Sequence, residues 1–107
     1  MKSIGIDISH TSEFKNFRNN KKFIEKIFTG AEIEYCTSKK DSHVHFAGKF
    51  ALKEAFIKCM KGKAKIADIE ILNYASGEPY VLWKGKRQNT KCSISHDKDI
   101  AISVCIA

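Results

Sequence analysis

Alternating apolar and polar positions mark the first segment of the chain. Between residues 3 and 9 an isoleucine stands at every second position, as Ile4, Ile6 and Ile8, and Asp7 lies between two of them. Because successive side chains of a β-strand point to opposite faces of a sheet, this spacing predicts a strand whose isoleucine face is buried. Asp7 then lies on the second face in mid-strand, where aspartate is disfavoured.

A helical spacing of apolar residues follows. It predicts two short helical pieces over residues 12–19 and 21–28, and a third short helix that ends at Cys36. Thr29 and Glu32 have the spacing of a capping box, in which each side chain bonds to the backbone N–H of the other residue. Both residues are therefore expected to be structural.

The longest helix is predicted in the middle of the chain. It starts at Asp41 or Ser42, after a polar loop, and runs to about Met60. Gly62 lies just beyond this point, where glycine favours the end of a helix, and the lysines on either side of it suit the negative helix end.

In the last third of the chain the apolar period changes to two, which indicates strands. Ile69 and Ile71 belong to one strand, and YVLWK forms the next after a turn at residues 76–79. A basic loop, KGKRQNTK, leads to a β-hairpin in which CSISH and IAISVCI flank a tight turn at residues 97–99, with His96 beside it. The order of elements predicts an α+β fold in which the long helix packs on a largely antiparallel sheet.

The composition is that of a globular protein. The 107 residues fit one domain, which we expect to span residues 1–107. No apolar run approaches the ~20 residues of a membrane-spanning helix, so no membrane association is expected. The start of the chain has no long apolar stretch followed by a small-residue cleavage site, so we expect no secretion signal and a cytoplasmic location.

The cysteines form no C-x-x-C pair; they are Cys36, Cys59, Cys92 and Cys105. In a chain without a secretion signal we expect reduced, mostly buried thiols. A zinc site would need help from His43 and His45, which point to nearly opposite faces because they are two residues apart on a helix.

A net charge of +7 results from 19 lysines and arginines against 12 aspartates and glutamates. Such a surface favours nucleic acid, phosphorylated small molecules or an acidic protein, although a merely solubilising surface has the same composition. Arg18 and Arg87 are the only arginines. Because proteins that read nucleic-acid sequence favour arginine forks, the excess of lysine fits a general field or single phosphate contacts better.

Glu54 and Lys58 lie one turn apart on the predicted long helix. They would form either a surface ion pair, worth about 0.3–0.5 kcal/mol, or part of a site. Asp7 adds a carboxylate in an otherwise apolar strand, and a buried carboxylate needs a cationic partner or a metal ion. Asp7 and Glu54 together would suit Mg²⁺, which takes one or two protein carboxylates and completes its shell with water and phosphate oxygens.

Further cationic groups extend this hypothesis to a diphosphate site. Lys49, Lys53 and Lys58 lie on the same predicted helix, and His96 either donates to a phosphate or serves the structure of the turn. Spacing alone does not show that residues 7, 54 and 96 meet.

Six short motifs occur in order along the chain. They are GID at 5–7, FTxxEIxYC at 28–36, FAGKFAxKEA at 46–55, DIEI at 68–71, GxP at 77–79 and SISH at 93–96. In this order and at these separations the motifs resemble those of the holo-acyl-carrier-protein synthases, the small phosphopantetheinyl transferases. The resemblance extends from Ile4 to about Val104.

The resemblance implies an enzyme that moves the 4′-phosphopantetheine arm of coenzyme A onto a serine of an acyl carrier protein and releases adenosine 3′,5′-bisphosphate. Asp7 and Glu54 match the family's Mg²⁺ ligands, and Lys58 matches a contact to the phosphates. Glu54 would also help to deprotonate the serine. These three residues are the expected catalytic group.

The resemblance also assigns residues to the nucleotide end of coenzyme A. His96 with Ser95 matches the family's nucleotide-contacting strand, and Lys49 stands where the family usually has an arginine near the phosphates. The other expected substrate-binding residues are Lys40, Lys58, Gly77 and Pro79, of which Gly77 and Pro79 match a turn near the adenosine.

Small members of the family are homotrimers with active sites between chains, in which one chain gives the metal carboxylates and its neighbour the SISH strand. Their carrier partner is acidic, and no nucleic-acid or membrane partner is implied. The chain departs from the family at Lys49 and at Glu13, a position where an arginine usually helps to dock the carrier protein.

Two other functions remain open from the sequence. One is a non-catalytic relative that binds coenzyme A or a carrier protein, and the other is a basic nucleic-acid-binding domain that uses the KGKRQNTK loop. The sequence does not identify the carrier protein or whether fatty-acid biosynthesis or another carrier-dependent pathway is served.

Overall fold

The structure is a computed structural model that describes residues 3–107. Within these residues the chain forms six strands: β1 (Ile4–His10), β2 (Ile69–Asn73), β3 (Pro79–Trp83), β4 (Lys86–Arg87), β5 (Lys91–Asp97) and β6 (Ile100–Ile106). The α-helices are α1 (Lys21–Ile27), α2 (Gly30–Thr37) and α3 (Ser42–Cys59). The predicted α+β class is confirmed.

The predicted antiparallel sheet is divided into two sheets of three strands, ordered β1-β6-β5 and β2-β3-β4. In the first sheet the first and last strands of the chain pair along their length, with Asp7 opposite Ser103. The predicted hairpin of β5 and β6 is confirmed, and His96 lies opposite Ala101. As a result β1 and β5 form the two edges of this sheet, with β6 between them.

Helix α3 holds the fold together, because it contacts the strands of the first sheet as well as β2 and α2. Phe46, Leu52 and Phe56 on α3 are completely buried. At Gly5 the strand β1 approaches the helix so closely that an added Cβ would lie 1.9 Å from the carbonyl oxygen of Ala55. The absence of a side chain at Gly5 therefore sets the distance between β1 and α3.

A buried ion pair ties α2 to α3. Thr29 caps α2 and forms the predicted capping box with Glu32. The Glu32 carboxylate is completely buried, and it accepts hydrogen bonds from Lys53 Nζ at 2.7 Å and from the backbone N–H of Ile71 at 2.6 Å. Lys53 Nζ also donates to the carbonyl of Ile27 at 2.6 Å. The pair is fully hydrogen-bonded, which a buried pair of charges requires.

The helix predicted over residues 21–28 and the long helix predicted to run to about Met60 are confirmed as α1 and α3. Helix α3 is bounded by Asp41 and Met60, and Gly62 beyond it has the positive φ of 80° that favours glycine. The helical piece predicted over residues 12–19 is shorter, since only Thr11–Phe14 forms a 3₁₀ helix and turns follow it. Strand β4 lies in the segment that was expected to be a basic loop.

The prediction that the isoleucine face of β1 is buried is wrong for the single chain. Ile4, Ile6 and Ile8 are 67%, 52% and 58% exposed, whereas Gly5 and Ser9 are buried against α3. The close approach of the helix requires small residues on the face that it covers. The isoleucines therefore point away from α3, onto a surface that β6 continues.

We call this surface the outer sheet face. Its exposed members are Ile4, Ile6, Ile8, Ile100 and Ile106. The register of β1 and β6 puts them on one side of the sheet, since Ile4 lies opposite Ile106. An apolar patch that spans two strands is a feature that a single soluble domain rarely leaves uncovered.

The cysteines follow the prediction, because all four are free thiols and only Cys92 is partly exposed. Burial raises the pKa of the Cys36 thiol to about 12, so this sulfur stays protonated. Within residues 3–107 no helix combines the length and the apolar character needed to cross a bilayer.

Candidate active site

Asp7 and Lys58 meet where β1 crosses α3. Lys58 Nζ lies 3.1 Å from Asp7 Oδ1 and donates a second hydrogen bond, of 2.9 Å, to the carbonyl of Ile6. The surface ion pair between Glu54 and Lys58 that the helical spacing allowed is not formed among the described residues, since Lys58 reaches the strand instead. Asp7 thus has a cationic partner, which was one of the two alternatives expected for it.

Glu54 completes this group of charges. Burial raises the pKa of Glu54, the negative charge of Asp7 raises it further, and the ammonium of Lys58 lowers it. The two carboxylates repel each other, and one lysine does not neutralise both, so an additional cation would stabilise the group. We call Asp7, Glu54 and Lys58 the acidic cluster.

The acidic cluster fits a hard divalent cation by the chemistry of its donors. Asp7 and Glu54 offer carboxylate oxygens, which Mg²⁺ prefers, and their mutual repulsion would be relieved by a cation between them. Two protein ligands leave most positions of an octahedral ion for water and phosphate oxygens.

A cavity of about 180 Å³ lies on the other side of α3, and it brings together four of the residues predicted to bind the nucleotide: Lys49, Gly77, Pro79 and His96. Gly77 has a positive φ of 102°, which lets the turn before β3 form the rim of the cavity. These four residues come from three different segments, so only the folded chain assembles the cavity.

Lys49 is held at the base of this cavity. It is buried, and its Nζ donates to the carbonyl of Ile71 at 2.7 Å and to Asn73 Oδ1 at 2.6 Å. The ring centre of Tyr35 lies 4.4 Å from the same nitrogen. Burial lowers the pKa of Lys49, while the nearby Glu32 carboxylate raises it.

Three of the predicted residues lie elsewhere. The expectation that Lys53 meets phosphate charge is wrong, because its ammonium is buried against Glu32. Ser95 lies on the exposed side of β5, opposite Ile102 on the outer sheet face, whereas His96 points into the cavity. Lys40 lines a separate polar cavity with Lys15 and Arg18.

The cavity also contains residues that sequence reasoning missed, namely Tyr35, His45 and Asn73. His45 stands one helical turn before Lys49, so the spacing could have placed it on the same side of α3. Asn73 gives no such signal, because its role depends on the end of β2 lying beside α3.

The acidic cluster and the cavity occupy opposite sides of the same chain. Asp7 lies on β1 and His96 on β5, the two edge strands of the first sheet. Nine residues, about two and a half helical turns, separate His45 from Glu54, so these side chains project from opposite sides of α3. One chain therefore presents the acidic cluster and the cavity on separate surfaces.

Comparison with known proteins gives the class of this fold and site. The family model described as the 4′-phosphopantetheinyl transferase superfamily matches residues 3–105. A holo-[acyl-carrier-protein] synthase from Geotalea daltonii is 36% identical over 95% of this chain and 94% of its own length. One from Thermoanaerobacter sp. is 40% identical over 97% of this chain and 85% of its own. The chain belongs to the 4′-phosphopantetheinyl transferase superfamily.

Solved structures agree at the level of the fold. The Helicobacter pylori holo-[acyl-carrier-protein] synthase in complex with coenzyme A is 31% identical, with a TM-score of 0.81 over 95% of this chain and 96% of that one. A holo-(acyl-carrier-protein) synthase from Bacillus anthracis in complex with CoA (3′,5′-ADP) is 28% identical, with a TM-score of 0.80 over 97% of this chain and 93% of that one. Within its superfamily the chain is an enzyme of the holo-[acyl-carrier-protein] synthase type.

Proposed function

We propose that this enzyme transfers the 4′-phosphopantetheine group of coenzyme A to a serine of an apo acyl carrier protein. The observation that carries the proposal is the contact of Asp7 with Lys58, one helical turn after Glu54 on α3, in a chain of this superfamily. Phosphoryl transfer needs positioned positive charge more than a nucleophile on the enzyme. Lys58 supplies one such charge, and Asp7 and Glu54 would hold a cation that supplies more.

In the proposed reaction the serine oxygen bonds to the phosphorus that carries the pantetheine arm. The bond from this phosphorus to the bridging diphosphate oxygen breaks, and its electron pair leaves with adenosine 3′,5′-bisphosphate. Glu54 accepts the serine proton, directly or through a water.

Lys58 has the reach to contact the phosphates, because its side chain is half exposed while it pairs with Asp7. Mg²⁺ held by Asp7 and Glu54 would supply positive charge that polarises the diphosphate. We place the nucleotide end of coenzyme A in the cavity of Lys49, Gly77, Pro79 and His96, where Lys49 supplies positive charge and none of the described lining residues carries a carboxylate.

The carrier protein is proposed to be acidic, which suits the net charge of +7. Glu13 is exposed and removes one positive charge from the docking position that the family uses. Lys15, Arg18 and Lys40 line one polar cavity of about 450 Å³, and we propose this basic surface as the one that attracts the carrier.

We further propose that the enzyme is a homotrimer with active sites between chains. The separation of the acidic cluster from the cavity supports this assembly, because a neighbouring chain is needed to bring the β1 edge of one copy to the β5 edge of the next. Burial of the outer sheet face between copies would remove its exposed isoleucines from water.

The test is incubation of the enzyme with coenzyme A, Mg²⁺ and several apo acyl carrier proteins, followed by intact-mass analysis. We expect the mass of one phosphopantetheine group to be added to a carrier, and a chelator to prevent the addition. A carrier whose acceptor serine is replaced by alanine is the control. Binding of coenzyme A without transfer to any carrier would instead indicate the non-catalytic relative.

A further inference from the structure

A second histidine in the cavity wall has no part in the reaction proposed above. His45 lies near the start of α3, is partly buried, and lines the same cavity as His96. Its ring packs edge-on against the ring of Tyr35, with the ring centres 5.9 Å apart. The imidazole is thus fixed in place at a cavity that we propose for the nucleotide.

The charged groups around His45 come from every neighbouring element. Lys39 follows α2, Lys49 lies on α3, His96 lies on β5, and Asp41 is the acidic group that faces the ring. Burial lowers the pKa of His45 most, Lys39, His96 and Lys49 lower it further, and Asp41 opposes them. The imidazole is therefore neutral at neutral pH in the absence of a ligand.

Lys49 contributes charge to the cavity but few free donors. Its Nζ already bonds to the carbonyl of Ile71 and to Asn73 Oδ1, and the ring of Tyr35 covers it. Among the described residues that line the cavity, none carries a carboxylate. An anion in the cavity would thus meet a positive field, and it would need hydrogen-bond donors from His45 and His96.

We propose that His45 binds a phosphate group of the nucleotide end of coenzyme A and takes up a proton when it does so. This inference rests on the proposed function, because that function places the nucleotide in the cavity. His45 would thus be a substrate-binding residue in addition to those predicted from the sequence.

Proton uptake has a defined consequence for affinity. A phosphate beside the imidazole favours its charged form, so the pKa of His45 is higher in the complex than in the free enzyme. Affinity is then constant below the free pKa, falls as the pH rises from the free to the bound pKa, and is constant again above it. Calorimetry in two buffers of different ionisation enthalpy measures the protons taken up.

The experiment uses the complete chain and adenosine 3′,5′-bisphosphate, without divalent cations, between pH 6 and pH 8. The wild type should take up protons on binding. His45→Phe keeps a ring against Tyr35 but cannot be protonated, and it should bind roughly tenfold more weakly at pH 6 and take up fewer protons. At pH 8 the two affinities should converge. His43→Gln, two residues before His45 on α3 and outside the cavity, is the control and should match the wild type.

The outcomes separate this inference from the proposed function. If the wild type does not bind the bisphosphate, the placement of the nucleotide is wrong, and both fail. If the wild type binds it and His45→Phe shows the same affinity and proton uptake at pH 6, only the role of His45 is overturned. Should His45→Phe not fold, histidine NMR of the wild type decides, and an unchanged pKa of His45 on binding overturns the role.

Discussion

At the scale of single residues, Glu54 illustrates a conflict between the site and the stability of the fold. Its raised pKa means that the folded state holds a proton on this carboxyl more tightly than the unfolded chain does. The contribution of Glu54 to stability is thus fully present below the unfolded pKa, and it is lost as the pH rises through the folded pKa. At neutral pH without a cation, the ionised carboxylate of Glu54 is repelled by the carboxylate of Asp7.

Glu54→Gln is therefore expected to unfold at a higher temperature than the wild type at pH 7 in the presence of a chelator. The gain should shrink as the pH falls through the pKa of Glu54, because the wild-type carboxyl is then neutral as well. Added Mg²⁺ should raise the melting temperature of the wild type but not that of the variant.

Differential scanning calorimetry with and without Mg²⁺ measures these shifts. Glu25→Gln is the matched control, since Glu25 is exposed on α1 and the same substitution there should change little. A melting temperature of Glu54→Gln below that of the wild type under these conditions would contradict the repulsion between the two carboxylates.

At the scale of elements, the contact of β1 with α3 sets the geometry of the acidic cluster. Gly5→Ala puts a Cβ into the carbonyl of Ala55, so the strand must move away from the helix. We expect a loss of about 2–3 kcal/mol in the free energy of unfolding. Transfer activity should fall as well, because Asp7 moves with the strand.

Denaturant unfolding and the carrier-protein assay measure the two effects. Gly30→Ala is the matched control, because nothing lies within 4 Å of the added Cβ at that helix position. It should keep its activity and lose no stability. Equal behaviour of the two variants would show that β1 and α3 tolerate a wider separation.

The sequence predicted the elements better than it predicted which of their faces are buried. The period of two identified β1, and the helical period identified α3 with both of its boundaries. Alternation alone does not say which face a helix covers, so the exposure of Ile6 had to come from the structure. The lack of a side chain at Gly5 was the one feature of the sequence that indicated which face of β1 the helix covers.

The same limit applies to the lysines of α3. Lys53 and Lys58 both look like cations for a phosphate, but five residues turn them to different sides of the helix. Lys53 faces the core because Glu32, from another helix, neutralises it there. Propensity and spacing cannot predict such a partner, whereas the ordered motifs assigned Asp7, Glu54 and Lys58 to one site through family resemblance.

At the scale of the whole molecule, the proposed trimer depends on the outer sheet face. Ile6 is 52% exposed, so Ile6→Glu should cost the single chain little, yet it places a carboxylate in the proposed interface. We expect a folded monomer with transfer activity reduced at least about tenfold, the loss that one buried unpaired charge can cause. Light scattering coupled to gel filtration measures the change in mass.

Phe23→Glu provides the control for this substitution. Phe23 is 50% exposed on α1, outside the outer sheet face, and its replacement removes a similar apolar side chain. The control should keep the mass of the wild type. A wild type that is itself monomeric would contradict the trimer directly.

Mixing of two inactive variants tests whether the acidic cluster of one chain and the cavity of another, the two proposed half-sites, cooperate. Asp7→Asn damages the acidic cluster, and His96→Ala damages the cavity, so each trimer should lose transfer activity by itself. When equal amounts of the two chains are refolded together, some sites combine the intact Asp7 of one chain with the intact His96 of its neighbour. With random assembly in a closed ring this pairing occurs in about a quarter of the sites, so about a quarter of the wild-type activity should return.

The recovered activity depends on the arrangement of the half-sites and not on trimer formation alone. Half-sites joined within one chain would give no intact site in any mixture, because every chain carries one lesion. Refolding of each variant with itself is the control and should give no recovery. Mixed trimers that form, as shown by native mass spectrometry, but stay inactive would therefore place both half-sites in one chain, and β1 and β5 would have to approach each other around α3.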